Sequence, residues 1–222
     1  MERTAFLARL RERLADAGGD GPALPATFQP TPASGSDASP ERFLASLRAV
    51  AGDGVVVERA GLADAIARVA GTVPADRRRA VIAPDADAFR SEIDAGLERV
   101  WLGTDRPADG AGWRASAARA GLGVTSAVLG VASTGSLLIG SGPGSPRAAS
   151  ILPEIHLVLL PADRLVPGLE EALEVAASLA STHSNPFLVT GPSRTSDIEM
   201  EMVLGAHGPR AVHVLLVTAP GA

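Results

Sequence analysis

The sequence predicts an α/β protein built on a mainly parallel sheet, and three observations carry that prediction. Short β-rich apolar runs recur along the chain, amphipathic segments separate most of them, and the runs carry almost no charge on either face. Ile155-His156-Leu157-Val158-Leu159-Leu160 is the clearest case. It has no polar alternation, so it belongs to a strand covered on both sides. With 222 residues and 46% hydrophobic content, the chain is able to bury a full core of one domain.

The elements follow in order. Residues 2–17 place Phe6, Leu7, Leu10 and Leu14 on one side and charges on the other, the pattern of an amphipathic helix. Residues 18–39 are rich in Pro and Gly, with Asp20 and Asp37 their only charges, and read as an extended arm. The arm and helix pack on their own domain or help assemble a homo-oligomer. The α/β domain then fills 40–222.

Within it, a helix over 40–50 leads to strand Gly54–Val57, and a helix over 62–70 leads to strand Ala80–Ala83. A helix near 86–95 precedes strand Arg99-Val100-Trp101-Leu102, and a helix over 111–120 precedes strand 123–129. Val128–Val131 and Ser136–Gly140 are joined by the short turn Ala132-Ser133-Thr134-Gly135. No crossover helix fits there, so the pair is antiparallel and the sheet is expected to be mixed. Between Ala120 and Ala162 the formal charges are Arg147 and Glu154 alone, which places this stretch at the centre of the protein. Strand 155–160, helix 167–180, strand 186–190, helix 195–204 and strand 211–217 complete the domain.

Composition excludes several chemistries. All 20 basic residues are Arg, so the chain offers no Schiff-base lysine and no P-loop lysine. It has no Cys, which removes thiolate catalysis, disulfides and Cys-ligated iron–sulfur or zinc centres. The net charge of −5 is spread out, and the lone run Arg77-Arg78-Arg79 reads as a solvated loop and not a nucleic-acid patch. No apolar run approaches the ~18 residues of a membrane span, and the N-terminus lacks a signal-type apolar core. A cytoplasmic protein is expected. The four His residues form neither HxH nor HExxH, so no metal site is expected. His156 and His213 fall within strands as hydrogen-bonded core histidines, while His183 lies just before one.

Three segments carry candidate chemistry. Thr190-Gly191-Pro192-Ser193-Arg194-Thr195-Ser196-Asp197-Ile198-Glu199 follows a strand and is read as the start of a helix. A helix N-terminus offers free N–H groups and partial positive charge to an anion. Ser196 and Glu199 fit a capping box, which leaves Ser193, Arg194 and Thr195 as binding candidates. In Gly140-Ser141-Gly142-Pro143-Gly144-Ser145-Pro146-Arg147, Gly142 and Gly144 allow close backbone approach, and Ser145 and Arg147 offer anion ligands. The spacing is not GxGxxG, and Gly-Pro-Gly also makes an ordinary turn. The turn residues Thr134, Gly135 and Ser136 form a polar tip where α/β proteins bind ligands, or a plain hairpin. Thr134, Ser145, Arg147, Ser193 and Arg194 are expected to converge on one pocket. Asp197, Glu199 and His207 are the acid–base candidates, with His207 also placed to stabilise a helix C-terminus.

Taken together these segments resemble the lactate utilization protein C family, whose defining module is the LUD domain. The matching residues are Gly130–Ser136, Ser141-Gly142-Pro143-Gly144, Leu152–Val158, Thr190–Glu199 and Val203–Val214, in that order. The similarity spans about residues 40–218. It implies a three-layer α/β/α fold of the sugar-isomerase/CoA-transferase-like (NagB/RpiA/CoA transferase-like) type. It also implies a non-redox subunit that supports oxidation of L-lactate to pyruvate beside LutA/LutB-like proteins, which carry the iron–sulfur clusters. This chain would then hold no cofactor of its own. The family commonly has Glu where this chain has Ser133, so a base or nucleophile at that position is missing here. Two other readings stand beside it. One is a free-standing enzyme acting on a phosphorylated sugar or an acyl-CoA; the other is a structural interaction protein with no ligand.

Overall fold

Ser39 and Pro40 open the first helix. The Ser39 hydroxyl accepts from the Arg42 N–H at 3.3 Å, Pro40 needs no donor at the first position, and Glu41 faces the helix's positive end. This helix, α1 (Pro40–Ala49), buries Phe43, Leu44 and Leu47. It ends when Ala51 turns left-handed at φ 64°. The Ala51 N–H then donates to Arg48 O and the Gly52 N–H to Leu47 O, a Schellman closure. The computed structural model describes residues 37–107, 110–142, 146–179, 185–195, 203–205 and 207–219. The helix expected over 2–17, the arm up to residue 36, His183 and the chain's last three residues lie outside them.

The main sheet has six strands in the order β1-β12-β7-β4-β2-β3, and every neighbouring pair is parallel. They are β1 (Asp53–Glu58), β2 (Arg79–Ile82), β3 (Gly103–Asp105), β4 (Leu122–Ser126), β7 (Ile155–Pro161) and β12 (Ala211–Thr218). The charge-poor stretch supplies β4 and β7 near the middle, where both faces are covered. A second sheet has the order β8-β5-β6-β9, from β5 (Leu129–Val131), β6 (Ser136–Ile139), β8 (Leu165–Val166) and β9 (Phe187–Val189). The antiparallel pair expected at 128–140 is therefore real, as β5 and β6, but it belongs to this second sheet and leaves the main one purely parallel.

On one face of the main sheet, α2 (Leu62–Ala70) and α3 (Arg90–Glu98) cover Ile82, Val124, Leu157 and Leu215. These two helices touch closely because Gly96 presents no side chain: a Cβ there would lie 2.7 Å from Ala63 O. On the opposite face, α1 and the second sheet cover Val158, Leu160, Val212 and Val214. Beside them α4 (Gly110–Arg119) and α5 (Arg147–Ile151) cover Val81 and Ala83. Finally α6 (Leu169–Leu179) packs on the outer side of the second sheet against Leu129, Val131 and Leu138.

Two expected elements are replaced. Arg99–Leu102 is no strand but the end of α3: Trp101 turns left-handed at φ 56°, its N–H donates to Glu98 O, and the Leu102 N–H donates to Leu97 O. The edge strand follows at Gly103–Asp105, held to β2 by the Arg79–Asp105 ion pair at 3.1 Å. The helix expected over 195–204 does not have those ends. Arg194–Thr195 is β10, paired antiparallel with Val203–Leu204 as β11, and residues 196–202 lie outside the described ones. The arginine run is engaged throughout, since Arg77 donates to Ala118 and Ala120 carbonyls, Arg78 to Val100 O, and Arg79 to Asp105. Among the described residues, no helix is long and apolar enough to cross a membrane.

Candidate functional site

Two of the three sequence segments meet at the C-terminal end of α1. Gly135, at φ 67°, lets the hairpin turn press on that helix, for a Cβ there would lie 2.3 Å from Leu47 N. The Ser46 hydroxyl donates to Ala132 O at 2.8 Å on the same turn. Gly191, at φ 76°, brings the second segment equally near: a Cβ would lie 2.3 Å from Val50 O. Arg194 Nη2 donates to that same carbonyl at 3.0 Å.

Between the two turns runs a line of hydroxyls. Thr134 Oγ1 and Ser136 Oγ are 2.7 Å apart, and Ser136 Oγ and Thr190 Oγ1 are 2.8 Å apart. Thr134 at one end is half-buried, Ser136 in the middle is buried and Thr190 at the other end is exposed, so the line reaches the surface at Thr190. Ser193 ties the corner to the later loop. Its N–H donates to Pro209 O, its carbonyl accepts from the Gly205 N–H, and its Oγ accepts from the His207 N–H at 3.3 Å. Thr134, Gly135, Ser136, Ser193 and Arg194 thus come together, joined by Thr190, which residue type alone did not single out. Thr195 pairs with Val203 in β10.

The electrostatics of this corner differ from the expectation. The helix end presented here is a C-terminus, which carries partial negative charge and attracts cations. Arg194 answers that charge by capping Val50 O. No helix begins at Ser193 or Arg194, so any anion here relies on side chains: the hydroxyl line and the N–H groups Arg194 has left over.

Arg147 lies elsewhere. Its guanidinium stands 5.4 Å over the Phe187 ring, and with the Asn185 amide turned oxygen-first toward it, Arg147 also donates to that residue. Phe187 begins β9 and Val189 ends it, so Arg147 and the Thr190–Arg194 turn sit at opposite ends of that strand. Of the five groups expected to converge, Thr134, Ser193 and Arg194 share the α1 corner, while Arg147 is engaged at the far end of β9. Gly142 is half-buried just ahead of Arg147, whereas Gly144 and Ser145 lie outside the described residues, as do Asp197 and Glu199. Ser133 is half-buried, its N–H on Pro167 O at 3.1 Å.

The strand histidines have distinct settings. His156 is fully buried, with Nε2 2.9 Å from Thr125 Oγ1, and Nδ1 has no hydrogen-bond partner among the described residues. Burial pushes its pKa down to about 3, so the ring is neutral. His213 is half-buried, and its Nδ1 is 3.4 Å from Asp53, its partner across β1 and β12. His207 is exposed. Among the described residues, no three acidic or imidazole groups gather in a metal-holding cluster.

Over residues 40–217 the chain matches the model of the LUD domain family, and it belongs to that family. A protein of Exiguobacterium named lactate utilization protein C is 34% identical over 108 residues, 47% of each chain. The Bacillus subtilis protein of the same name is 30% identical over 105 residues, 45% of this chain and 44% of its own. An uncharacterized protein of Neisseria meningitidis is 34% identical over 96 residues, 43% of this chain and 41% of its own. The matches with these three relatives span less than half of their length. In fold, the chain is similar to the crystal structure of a DUF162 family protein from Deinococcus radiodurans. The TM-score is 0.55 at 24% identity, covering 80% of this chain and 94% of that one.

Proposed function

We propose that this chain is a cluster-free subunit of a lactate-oxidising system, acting beside iron–sulfur proteins that carry the electrons. The carrying observation is the LUD match over 40–217, together with relatives named lactate utilization protein C, in a chain with no cysteine. A cluster held by thiolates then belongs to a partner. Supporting a small anionic ligand is the corner at the end of α1. There the hydroxyls of Thr134, Ser136 and Thr190 form a line that reaches the surface at Thr190, in the same turn as the exposed Arg194, and hydroxyls and a guanidinium are groups suited to a carboxylate or phosphate.

The subunit role is tested by reconstitution. Candidate iron–sulfur partner proteins are purified with and without this chain, and L-lactate-dependent dye reduction is followed. Activity is expected only with the full set, and this chain alone is expected to be silent. Turnover of lactate by the chain alone sinks the reading. For the ligand, L-lactate, pyruvate and phosphate are compared by thermal shift. A stabilisation lost in Arg194→Ala supports the corner as the site, and no shift with any of the three counts against it.

A further inference from the structure

At the carboxyl ends of the parallel strands lies an open crevice apart from the turns at 132–136 and 190–194. It is a cleft of about 510 Å³, within the range of small-molecule sites. It sits over the end of β12, between strands whose continuations diverge. After β1 the chain turns through Arg59–Gly61 to α2 on one face, and after β7 it turns through Ala162–Arg164 to the second sheet on the other. Such a divergence leaves an opening above the sheet edge, the usual place for ligands in parallel α/β proteins. The signature corner, by contrast, touches the segments that lead into β1 and β12, at the amino ends.

The lining pairs apolar surface with oriented charge. Phe89, Ala162 and Val217 supply apolar surface, and Phe89 and Val217 are buried. Arg59 is held rigidly: Nε donates to Glu92 Oε1 at 2.6 Å, Nη2 donates to Ala88 O at 2.7 Å, and the guanidinium stands 5.4 Å over the Phe89 ring. Burial alone would raise the Glu92 carboxyl, yet hydrogen bonds from Arg59 and Ser91 outweigh it and keep the group below its usual range. Glu92 is thus charged and fixes the guanidinium from outside the lining, leaving Nη1 without a partner among the described residues. Arg164, exposed on the opposite wall, has no hydrogen bond or ion pair among the described residues. Against these two cations the lining sets one carboxylate, Asp163.

We propose that this crevice binds an organic anion, a carboxylate or phosphate carried on an apolar body. Arg59 and Arg164 grip the charged end, and Phe89, Ala162 and Val217 receive the body. Neither the lactate reading nor the α1 corner is needed for this proposal.

Calorimetric titration of the full chain with phenyl phosphate, inorganic phosphate and benzyl alcohol separates the two halves of the recognition. Saturable binding of phenyl phosphate is expected, at least about tenfold tighter than either fragment probe. Arg164→Ala should weaken it about tenfold or more with an unchanged melting temperature. Ala88→Trp, which fills the cleft from an exposed rim position, should abolish it, and Arg194→Ala should leave it intact. Absence of saturable binding overturns the proposal, as does binding that both Arg164→Ala and Ala88→Trp leave untouched. Loss in Arg194→Ala alone would move the anion to the α1 corner and overturn the crevice equally.

Discussion

His156 concentrates the residue-scale chemistry of the core. Its ring sits among the inner strands with one nitrogen on Thr125 and the other without a partner among the described residues, and burial excludes the proton. The folded pKa of about 3 lies below the ordinary histidine value of 6.5. Between those values the unfolded chain binds a proton that the native chain does not. This stabilising contribution is therefore complete above pH 6.5 and is lost as pH falls toward 3, with a slope approaching ~1.4 kcal/mol per unit. Chemical denaturation between pH 6.5 and 5, above the range of ordinary carboxylates, should show this fall. His156→Gln keeps a hydrogen-bonding group toward Thr125 and should flatten the slope. Equal acid slopes for both proteins would refute the assignment.

Among the elements, α1 and the two turns clasped to it explain why the signature has its residues. Thr190-Gly191-Pro192-Ser193-Arg194 reads in sequence as the start of a helix that binds an anion. In the fold it is a strap whose glycine lies on Val50 O and whose arginine caps the same carbonyl. Gly191→Ala adds a Cβ at 2.3 Å from that oxygen, on a residue at φ 76°. Strain and displacement together should cost about 2–4 kcal/mol, read as a lower urea midpoint at constant m-value. A loss under about 0.5 kcal/mol would show that the strap does not bear on α1. The helix over 40–49 was legible because a cap, a proline and an apolar stripe agree locally, and the one over 62–70 because of its apolar stripe alone. Val100-Trp101-Leu102 misled because an apolar triplet looks alike in a strand and in a Schellman closure, and only the left-handed Trp101 tells them apart.

For the whole molecule, the parallel sheet sets a gradient of protection. β7 and β12 are paired on both sides and covered on both faces, while β1 and β3 are edges. Amides of Leu157–Leu160 and Val214–Leu216 should exchange only through global unfolding, with those of Gly103–Asp105 exchanging earliest among the strands. Hydrogen exchange with equal protection at β3 and β7 would contradict this order. The carboxyl ends of the strands also locate the proposed binding crevice, because chain connections diverge above β12 and open the cleft between Arg59 and Arg164.

The α/β class, the central place of the charge-poor stretch, the antiparallel hairpin and the LUD relationship were all written in the sequence. Each depends on local patterns: apolar runs with no polar face, turns too short for a crossover, and ordered motif residues. The tertiary structure decided what those patterns could not. It moved the hairpin into a second sheet, made Gly191–Arg194 a strap on a helix C-terminus, and engaged Arg147 at the far end of β9. It also brought Arg59 and Arg164 to one cleft across more than a hundred residues of chain. The physical reason is that backbone carbonyls, helix ends and strand-edge loops act by position in space. Their partners are set by long-range packing, which no local window of residues records.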